Sequence, residues 1–432
     1  MGDDMNGEGT VLWSGMKRLV VLALLTACGS SPAMRAAERG DRAGLGVAAH
    51  DLTSHQVAAL ALVVADRELR AAPAVEAAGR VRAAWACAHE LDEALAERMK
   101  VHDEAGAAAA LARLDGQGLE VDDVRTYLGD PDPRWRAVGA RALVRPEDRA
   151  ARLQALVEPD PGVRRSAARA ARAATDPNDL EVLADVARVD PEPIVRTEAV
   201  RAIVALSPLP SEEAANVLRD LWPAADDGLR EDIALGWARP AVWAAGGREA
   251  LGVIVASTHG PGAIEAAAAV LRHADADGDI ALAARGQLQQ SLEQGPRAER
   301  LQAIAETPVD RPELRQAVAR LAEDDDIDVR VAALARLAEG DPGVRQKLEV
   351  LAQPGSRVAT RARLALAASG DRAVQSWLEQ DLKSERSFDR LAAASGLVSL
   401  NLAGRAAPLL ADVDPDVRVR AACTILVAAR RR

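Results

Sequence analysis

The sequence predicts an all-α fold, a right-handed α-α superhelix (an α-solenoid) of about ten helical hairpins after an N-terminal helical region. Three observations predict it. From Asp130 onward, a phrase of an acid or proline, an apolar residue and usually an arginine recurs at steps of about thirty residues. Hydrophobic residues make up 49% of the chain, yet Phe and Tyr occur once each, which favours helices packed through small side chains over strands. Each unit is also too short for more than two ordinary helices.

The N-terminus carries the pattern of an export signal. In residues 16–27, Met16 is followed by two basic residues and then by the nine-residue apolar run Leu19–Ala27. As a helix this run is about 14 Å long, about half of a hydrocarbon core, which is typical of a signal peptide and too short for a membrane span. Residues 1–15 are acidic, the wrong charge for such a signal. We expect translation to begin at Met16, with residues 1–15 as an upstream extension.

The end of this signal resembles the bacterial lipobox, formed here by Leu25, Thr26, Ala27 and Cys28. The resemblance implies cleavage before Cys28 and attachment of lipid to its thiol, so that residues 28–35 form a lipidated cysteine and a short tether. The membrane would then be contacted through the lipid anchor only. Gly29 and Ser30 lack the aspartate that the pattern associates with inner-membrane retention. We therefore expect an outer-membrane lipoprotein facing the periplasm, with the cell surface as the alternative.

Residues 36–128 are helical by pattern but match the repeated phrase poorly, and we interpret them as an N-terminal helical cap or a set of diverged repeats. Four of the six histidines lie here, at His50, His55, His89 and His102. They do not share a helix face at a spacing of four residues, so no metal site is predicted. This region nevertheless leaves open an enzyme or small-ligand site that the sequence does not identify.

In residues 129–432 each phrase has the features of a helix start. Aspartate before proline supplies an N-cap oxygen and a preset backbone angle, as at Asp160 and Pro161, and apolar residues at steps of four then form one buried stripe. Second helices are predicted over residues 180–189, 211–221, 312–321 and 374–382.

The pattern D-x-x-V-R-x-x-A-x-x-x-L, followed by a second amphipathic helix, resembles the HEAT repeat family over about 300 residues. The resemblance implies a ladder of paired Asp and Arg side chains between successive repeats, with arginines bound structurally rather than to ligands. The units near 265 and 360 lack the arginine, and the ladder should be interrupted there. The ladder carries over to Asp132, Asp160, Asp190, Asp328 and Asp414, and to Arg136, Arg164, Arg196, Arg330 and Arg418.

Composition and missing motifs narrow the function. A net charge of −11 argues against nucleic acid as a partner. The chain contains no Gly-x-Ser-x-Gly, P-loop, His-Glu-x-x-His or Cys-x-x-Cys motif, so we predict no catalytic residue, metal or cofactor. The expected function is a non-enzymatic scaffold or assembly factor at the cell envelope that binds an unknown protein partner. The alternative is an enzyme, for example lyase-like, or a small-ligand protein on a HEAT-like scaffold.

Two features are candidate protein-binding surfaces. Trp222 and Trp243 have no assigned core position and could form an exposed aromatic patch, although packing is the default interpretation. The chain stops after one helix of its last repeat, so Ile425 and Leu426 are expected to lack a covering helix and to offer a docking surface. The other cysteines, Cys87 and Cys423, are expected to be two buried thiols rather than a disulfide.

Overall fold

A computed structural model describes residues 31–49, 52–206, 209, 211–257, 259–273 and 278–431. The predicted export signal and the lipobox with Cys28 lie outside these ranges. Every regular element within them is helical, and no strand occurs there. The helices of the first part are α1 (Pro32–Arg39), α2 (Arg42–Ala48), α3 (Ser54–Arg70), α4 (Ala74–Ala84), α5 (Asp92–Met99), α6 (Glu104–Asp115) and α7 (Val121–Val124).

Ten helices carry the repeated phrase or its diverged forms, and we call them the repeat helices. They are α8 (Pro133–Arg141), α10 (Pro161–Ala174), α12 (Pro193–Ala205), α14 (Asp227–Trp237), α17 (Pro261–Arg272), α19 (Arg297–Glu306), α21 (Ile327–Leu337), α23 (Ala359–Ala368), α25 (Ser387–Ser399) and α27 (Pro415–Arg430). Companion helices alternate with them: α9 (Arg149–Ala155), α11 (Leu180–Val189), α13 (Ser211–Leu221), α15 (Pro240–Val242), α16 (Arg248–Ser257), α18 (Gly278–Gln294), α20 (Pro312–Arg320), α22 (Pro342–Leu351), α24 (Gln375–Asp381) and α26 (Ala403–Ala406).

From α8 to α23, each repeat helix packs against the next repeat helix in sequence. Between them lies one apolar core that runs from Ala137 to Leu337 and is built mainly of Ala, Leu, Val and Ile. The second helices fall where the sequence predicts them, with α11 at Leu180–Val189 and α13 at Ser211–Leu221. The predicted fold class, an all-α solenoid of helical hairpins, is confirmed.

The chain forms two compact units. The middle unit is Gln117–Ser369, and the terminal unit joins the described residues of Met1–Gly116 to Gly370–Arg432. Within the terminal unit, the C-terminal repeats pack against the first helices of the chain.

The last repeat helix is covered, and the prediction that no helix packs over it is wrong. Helix α27 packs against α3 and α4 in the terminal unit. Ile425 is 1% exposed and Leu426 is 6% exposed. The sequence places these partners more than 300 residues apart, so local pattern alone could not reveal the contact.

The prediction of two free thiols is also wrong, since Cys87 and Cys423 form a disulfide with their Cα atoms 5.2 Å apart. Cys87 ends the short 3₁₀ turn Trp85–Cys87 after α4, and Cys423 lies in the middle of α27. The packing of α27 over α4 brings the two within the usual Cα separation for a disulfide. In the described part of the chain, no helix is both long and apolar enough to cross a membrane.

Candidate interaction surface

One contact of the predicted ladder is a bidentate ion pair between two neighbouring repeats. Arg164 in α10 donates from Nε to Oδ2 of Asp190 at 2.6 Å and from Nη2 to Oδ1 at 3.0 Å. Its Nη1 donates to the carbonyls of Glu158 and Pro159, both at 2.8 Å. The ion pair raises the pKa of Arg164, chiefly through the hydrogen bond to Asp190. The guanidinium therefore links the start of its own repeat to the start of the next.

The same contact recurs in other repeats. Arg136, Arg196 and Arg390 donate to carbonyls five and six residues before them and also reach an acid of the following repeat. Arg136 contacts Glu158 at 3.2 Å, Arg196 contacts Asp226 at 3.5 Å, and Arg390 contacts Asp412 at 2.6 Å. Arg330 donates from Nε to the carbonyl of Asp324 at 2.9 Å.

The acids of the ladder differ from most of those predicted. Asp132, Asp160 and Asp414 instead cap their own helices, accepting backbone N–H groups at 2.9–3.1 Å. Asp328 contacts Arg297 and Arg361 from the surface of α21. Of the predicted set, Asp190 pairs with a ladder arginine, Arg164. Four pairing acids, Glu158, Asp190, Asp324 and Asp412, stand two residues before the capping position. Asp226, which Arg196 contacts, is itself the N-cap of α14.

The ladder is interrupted near residue 265, as predicted. Glu265 in α17 occupies a buried position, and Nε2 of Gln302 in α19 donates to its Oε1 at 2.5 Å. Burial raises the pKa of Glu265, and the nearby charges of Glu306 and Glu231 raise it further. Near 360, the buried Arg363 donates from Nε to the carbonyl of Ala352 at 2.8 Å.

A second set of contacts lies further along the repeat helices. Arg169 donates to Oε1 of Glu198 at 2.9 Å, while Arg165 and Arg172 approach the same buried carboxylate at 3.8 and 3.7 Å. Arg201 likewise pairs with Asp232 of the next repeat helix at 2.9 Å. These pairs again join neighbouring repeats.

Trp222, Trp237 and Trp243 pack inside the middle unit. Trp237 is buried and donates from Nε1 to the carbonyl of Ala215 at 3.3 Å. Trp243 is 6% exposed and stacks on His273, with ring centroids 4.0 Å apart. Trp222 is half-buried, 5.3 Å from Trp237, with the guanidinium of Arg230 over its ring. The candidate exposed aromatic patch is therefore not formed by Trp243, which packs in the core. Only part of the Trp222 ring is exposed.

The N-terminal histidines are not brought together as a site. His55, His89 and His102 are exposed, and Nδ1 of His89 hydrogen-bonds the carbonyl of Gly116 at 3.3 Å. His50 lies outside the described residues. Across the described ranges, no group of three or more His, Cys, Asp or Glu side chains is arranged to hold a metal ion.

An apolar groove of about 410 Å³ crosses three successive repeat helices, α19, α21 and α23. Its floor includes Leu301 and Ile304, and its walls are alanines of all three helices, among them Ala335. Arg336 and Glu339 provide a charged edge, and Nη2 of Arg336 is fixed by the carbonyl of Thr307 at 3.0 Å. The groove is open because the side chains between the helices end at Cβ. Sequence analysis missed it, although the alanine-rich pattern of α21 and α23 is its signal.

Residues 127–204 match a family model described as HEAT repeats. The matched segment contains α8, α10 and nearly all of α12, three successive repeat helices of the middle unit. A comparison with curated proteins found no match.

Among solved structures, one engineered protein is 20% identical, with 81% of this chain and 96% of that chain covered and a TM-score of 0.31. The karyopherin Kap121p is 15% identical, with 88% and 48% covered and a TM-score of 0.29. Kap121p bound to the extreme C-terminus of the protein phosphatase Cdc14p is 14% identical, with 81% and 46% covered and a TM-score of 0.29. The chain spans about half the length of these karyopherins.

Proposed function

We propose that this chain is a membrane-anchored HEAT-repeat lipoprotein that acts as a non-enzymatic protein-protein interaction scaffold or assembly factor at the cell envelope. The observation that carries the scaffold function is the groove across α19, α21 and α23. Neighbouring helices pack about 8–10 Å apart, so three of them present a surface long enough for a segment of a partner protein. A volume of about 410 Å³ accommodates apolar side chains, and the charged edge can orient them.

The envelope location rests on the lipobox with Cys28 and on the disulfide. Structural disulfides form and persist in oxidising compartments such as the periplasm, and they are rare in the reducing cytosol. A crosslink between Cys87 and Cys423 fits an exported chain. Metabolic labelling with a fatty acid should mark the wild type and not Cys28→Ser. Equal labelling of both would contradict the anchor at this residue.

Photo-crosslinking in cells tests the groove. A photoreactive residue at Ala335 should capture a partner that mass spectrometry identifies, because this position faces the groove. The matched control is Val350 in companion helix α22, which is 68% exposed and does not line the groove.

The substitution Ala335→Arg should abolish the captured complex, because a long charged side chain would fill the groove, whereas Val350→Arg should leave it intact. Both arginines add the same charge to an exposed helix position. Capture of the same proteins from both positions, or none from Ala335, would contradict the proposed surface.

A further inference from the structure

A second concavity, about 240 Å³ in volume, lies within the terminal unit, where α1, α2 and α3 meet α27. Its lining includes three arginines, Arg42, Arg67 and Arg418, and one carboxylate, Glu68. Three positive charges against one negative give the lining a net charge of 3 − 1 = +2. This local excess contrasts with the chain as a whole, whose net charge is −11.

Two of these charges neutralise each other. Arg418 donates from Nε and Nη2 to the two carboxylate oxygens of Glu68, at 2.9 and 2.7 Å. Its Nη1 donates to the carbonyls of Asp412 and Val413, as a ladder arginine does. The pair therefore forms a rigid wall of the pocket, and the excess charge belongs to Arg42 and Arg67.

Arg67 is held in place by backbone groups alone. Its Nη1 donates to the carbonyls of Ala37 at 3.3 Å and Glu38 at 2.8 Å, in the last turn of α1. Gly40 follows α1 with a φ of 68°, and a Cβ there would lie 2.0 Å from the guanidinium carbon. A glycine is thus required for the guanidinium to lie against this turn, and the side chain is preorganised.

Arg42 stands on the opposite side of the pocket, at the start of α2. It is exposed, and its Nη1 donates to the carbonyl of Val413 at 3.4 Å. The neighbouring Asp41 turns away to cap α2, where its Oδ1 accepts the N–H of Gly44 at 2.9 Å. Within the described part of the chain, neither Arg42 nor Arg67 forms an ion pair with a carboxylate.

We propose that this pocket binds a phosphate group. The guanidiniums of Arg42 and Arg67 contact neutral carbonyls, so their charge and their other N–H groups can bind an oxyanion. Arginine binds phosphate through two parallel hydrogen bonds. A net charge of +2 suits a dianion. The volume is below the range of about 300–1,000 Å³ of pockets for drug-sized ligands, so it fits a single phosphate group or lipid headgroup.

The phosphate has two sources to be distinguished. Helix α1 begins at Pro32, four residues after Cys28, so at most about 14 Å of extended chain separates its start from the proposed lipid anchor. A phospholipid headgroup is therefore within reach, and that source depends on the anchoring proposed above. A soluble phosphate compound does not depend on it.

Calorimetric titration with inorganic phosphate at low salt tests the pocket itself. All proteins are the full chain with Cys28→Ser, so that no acyl chain contributes. The starting protein should bind phosphate, and Arg42→Ala should weaken binding about tenfold, as expected for the loss of a hydrogen bond between charged groups. Arg67→Lys keeps the charge but loses the planar fork, and it should weaken binding as well.

The matched control is Arg82→Ala, which removes the same charge from an arginine of the terminal unit that is 61% exposed and pairs with Glu104. Its phosphate affinity should equal that of the starting protein. No binding by the starting protein at about 10 mM phosphate, far above the Kd of a specific site, would overturn the proposal. Equal losses in Arg42→Ala and Arg82→Ala would also overturn it, because they would indicate unspecific charge attraction.

Sedimentation with phosphatidylcholine vesicles containing phosphatidic acid identifies the source. If Arg42→Ala weakens vesicle binding and Arg82→Ala does not, the result supports phosphate binding in the pocket and identifies the ligand as a lipid headgroup. Arg42-dependent binding of inorganic phosphate alone would support the pocket and assign a soluble ligand. The groove at Ala335 is tested by crosslinking, so a failed phosphate titration leaves the scaffold function standing, and a failed crosslink leaves the pocket standing.

Discussion

The substitution Arg164→Met tests whether the arginine ladder stabilises the repeats. Methionine keeps an unbranched side chain and removes the charge. It deletes the two hydrogen bonds to Asp190 and the two to the carbonyls of Glu158 and Pro159. The side chains of Arg164 and Asp190 are only 10% and 4% exposed, so water replaces the lost contacts poorly. The carboxylate of Asp190 then stays buried without its cation.

Removing one partner of a buried ion pair typically costs about 3–5 kcal/mol, and we expect this loss for Arg164→Met. Arg134→Ala is the matched control, since Arg134 is 52% exposed and should cost less than about 1 kcal/mol. The double variant Arg164→Met with Asp190→Asn removes the stranded charge and keeps the oxygen that accepts the N–H of Glu192. It should be more stable than Arg164→Met, with a coupling of at least about 2 kcal/mol.

Amide hydrogen exchange is the suitable assay, because a chain of two compact units lacks a single well-defined free energy of unfolding. Exchange of peptides from α10 and α12 reports the free energy of local opening around the pair. A decrease of less than about 1 kcal/mol in Arg164→Met, or a decrease equal to that in Arg134→Ala, would refute the structural role of the ladder.

Two further predictions concern the crosslink and the buried acid. Replacing Cys87 and Cys423 by serine should lower the stability of the terminal unit by about 2–5 kcal/mol, because the crosslink restricts the unfolded chain. Dithiothreitol should lower the thermal midpoint of the wild type to that of this variant, and a wild type insensitive to reductant would contradict the disulfide. Because burial raises the pKa of Glu265 above 4.5, the wild type should lose stability as the pH rises from the unfolded pKa through the folded pKa. Glu265→Gln should therefore gain relative stability in α17 and α19 between about pH 4 and neutrality, and parallel pH profiles by hydrogen exchange would contradict this.

The repeat architecture could be predicted because its signals are local. An aspartate before a proline starts α10 through a bond from Val163 to Asp160, and the apolar stripe that follows needs only helical spacing. The ladder acids could have been found by the same means, since an acid stands two residues before several caps, as Asp412 does before Asp414. At Asp160 and Asp414, sequence analysis assigned both roles to the capping residue, because an acid stands at both positions.

The long-range contacts could not be predicted in this way. The disulfide and the pocket both depend on α27 packing over the first helices, which joins parts of the chain more than 300 residues apart. Sequence analysis expected Ile425 to be uncovered because it assumed that a covering helix must follow in sequence. In this chain the covering helices precede it.

The ladder explains why the last repeat is closed from the other end of the chain. A ladder arginine donates from Nη1 to two carbonyls of the turn before its own helix, and its other N–H groups donate to an acid of the next repeat. Arg390 forms these contacts with Asp412. No repeat helix follows α27 within the described residues, yet the contacts of Arg418 have the same form, because Glu68 of α3 supplies the acid. Helix α3 therefore takes the place of a following repeat. The pair of Arg418 and Glu68 also forms one wall of the proposed phosphate site. The residues that close the last repeat therefore help to build that site. The groove proposed for a protein partner lies in the middle unit.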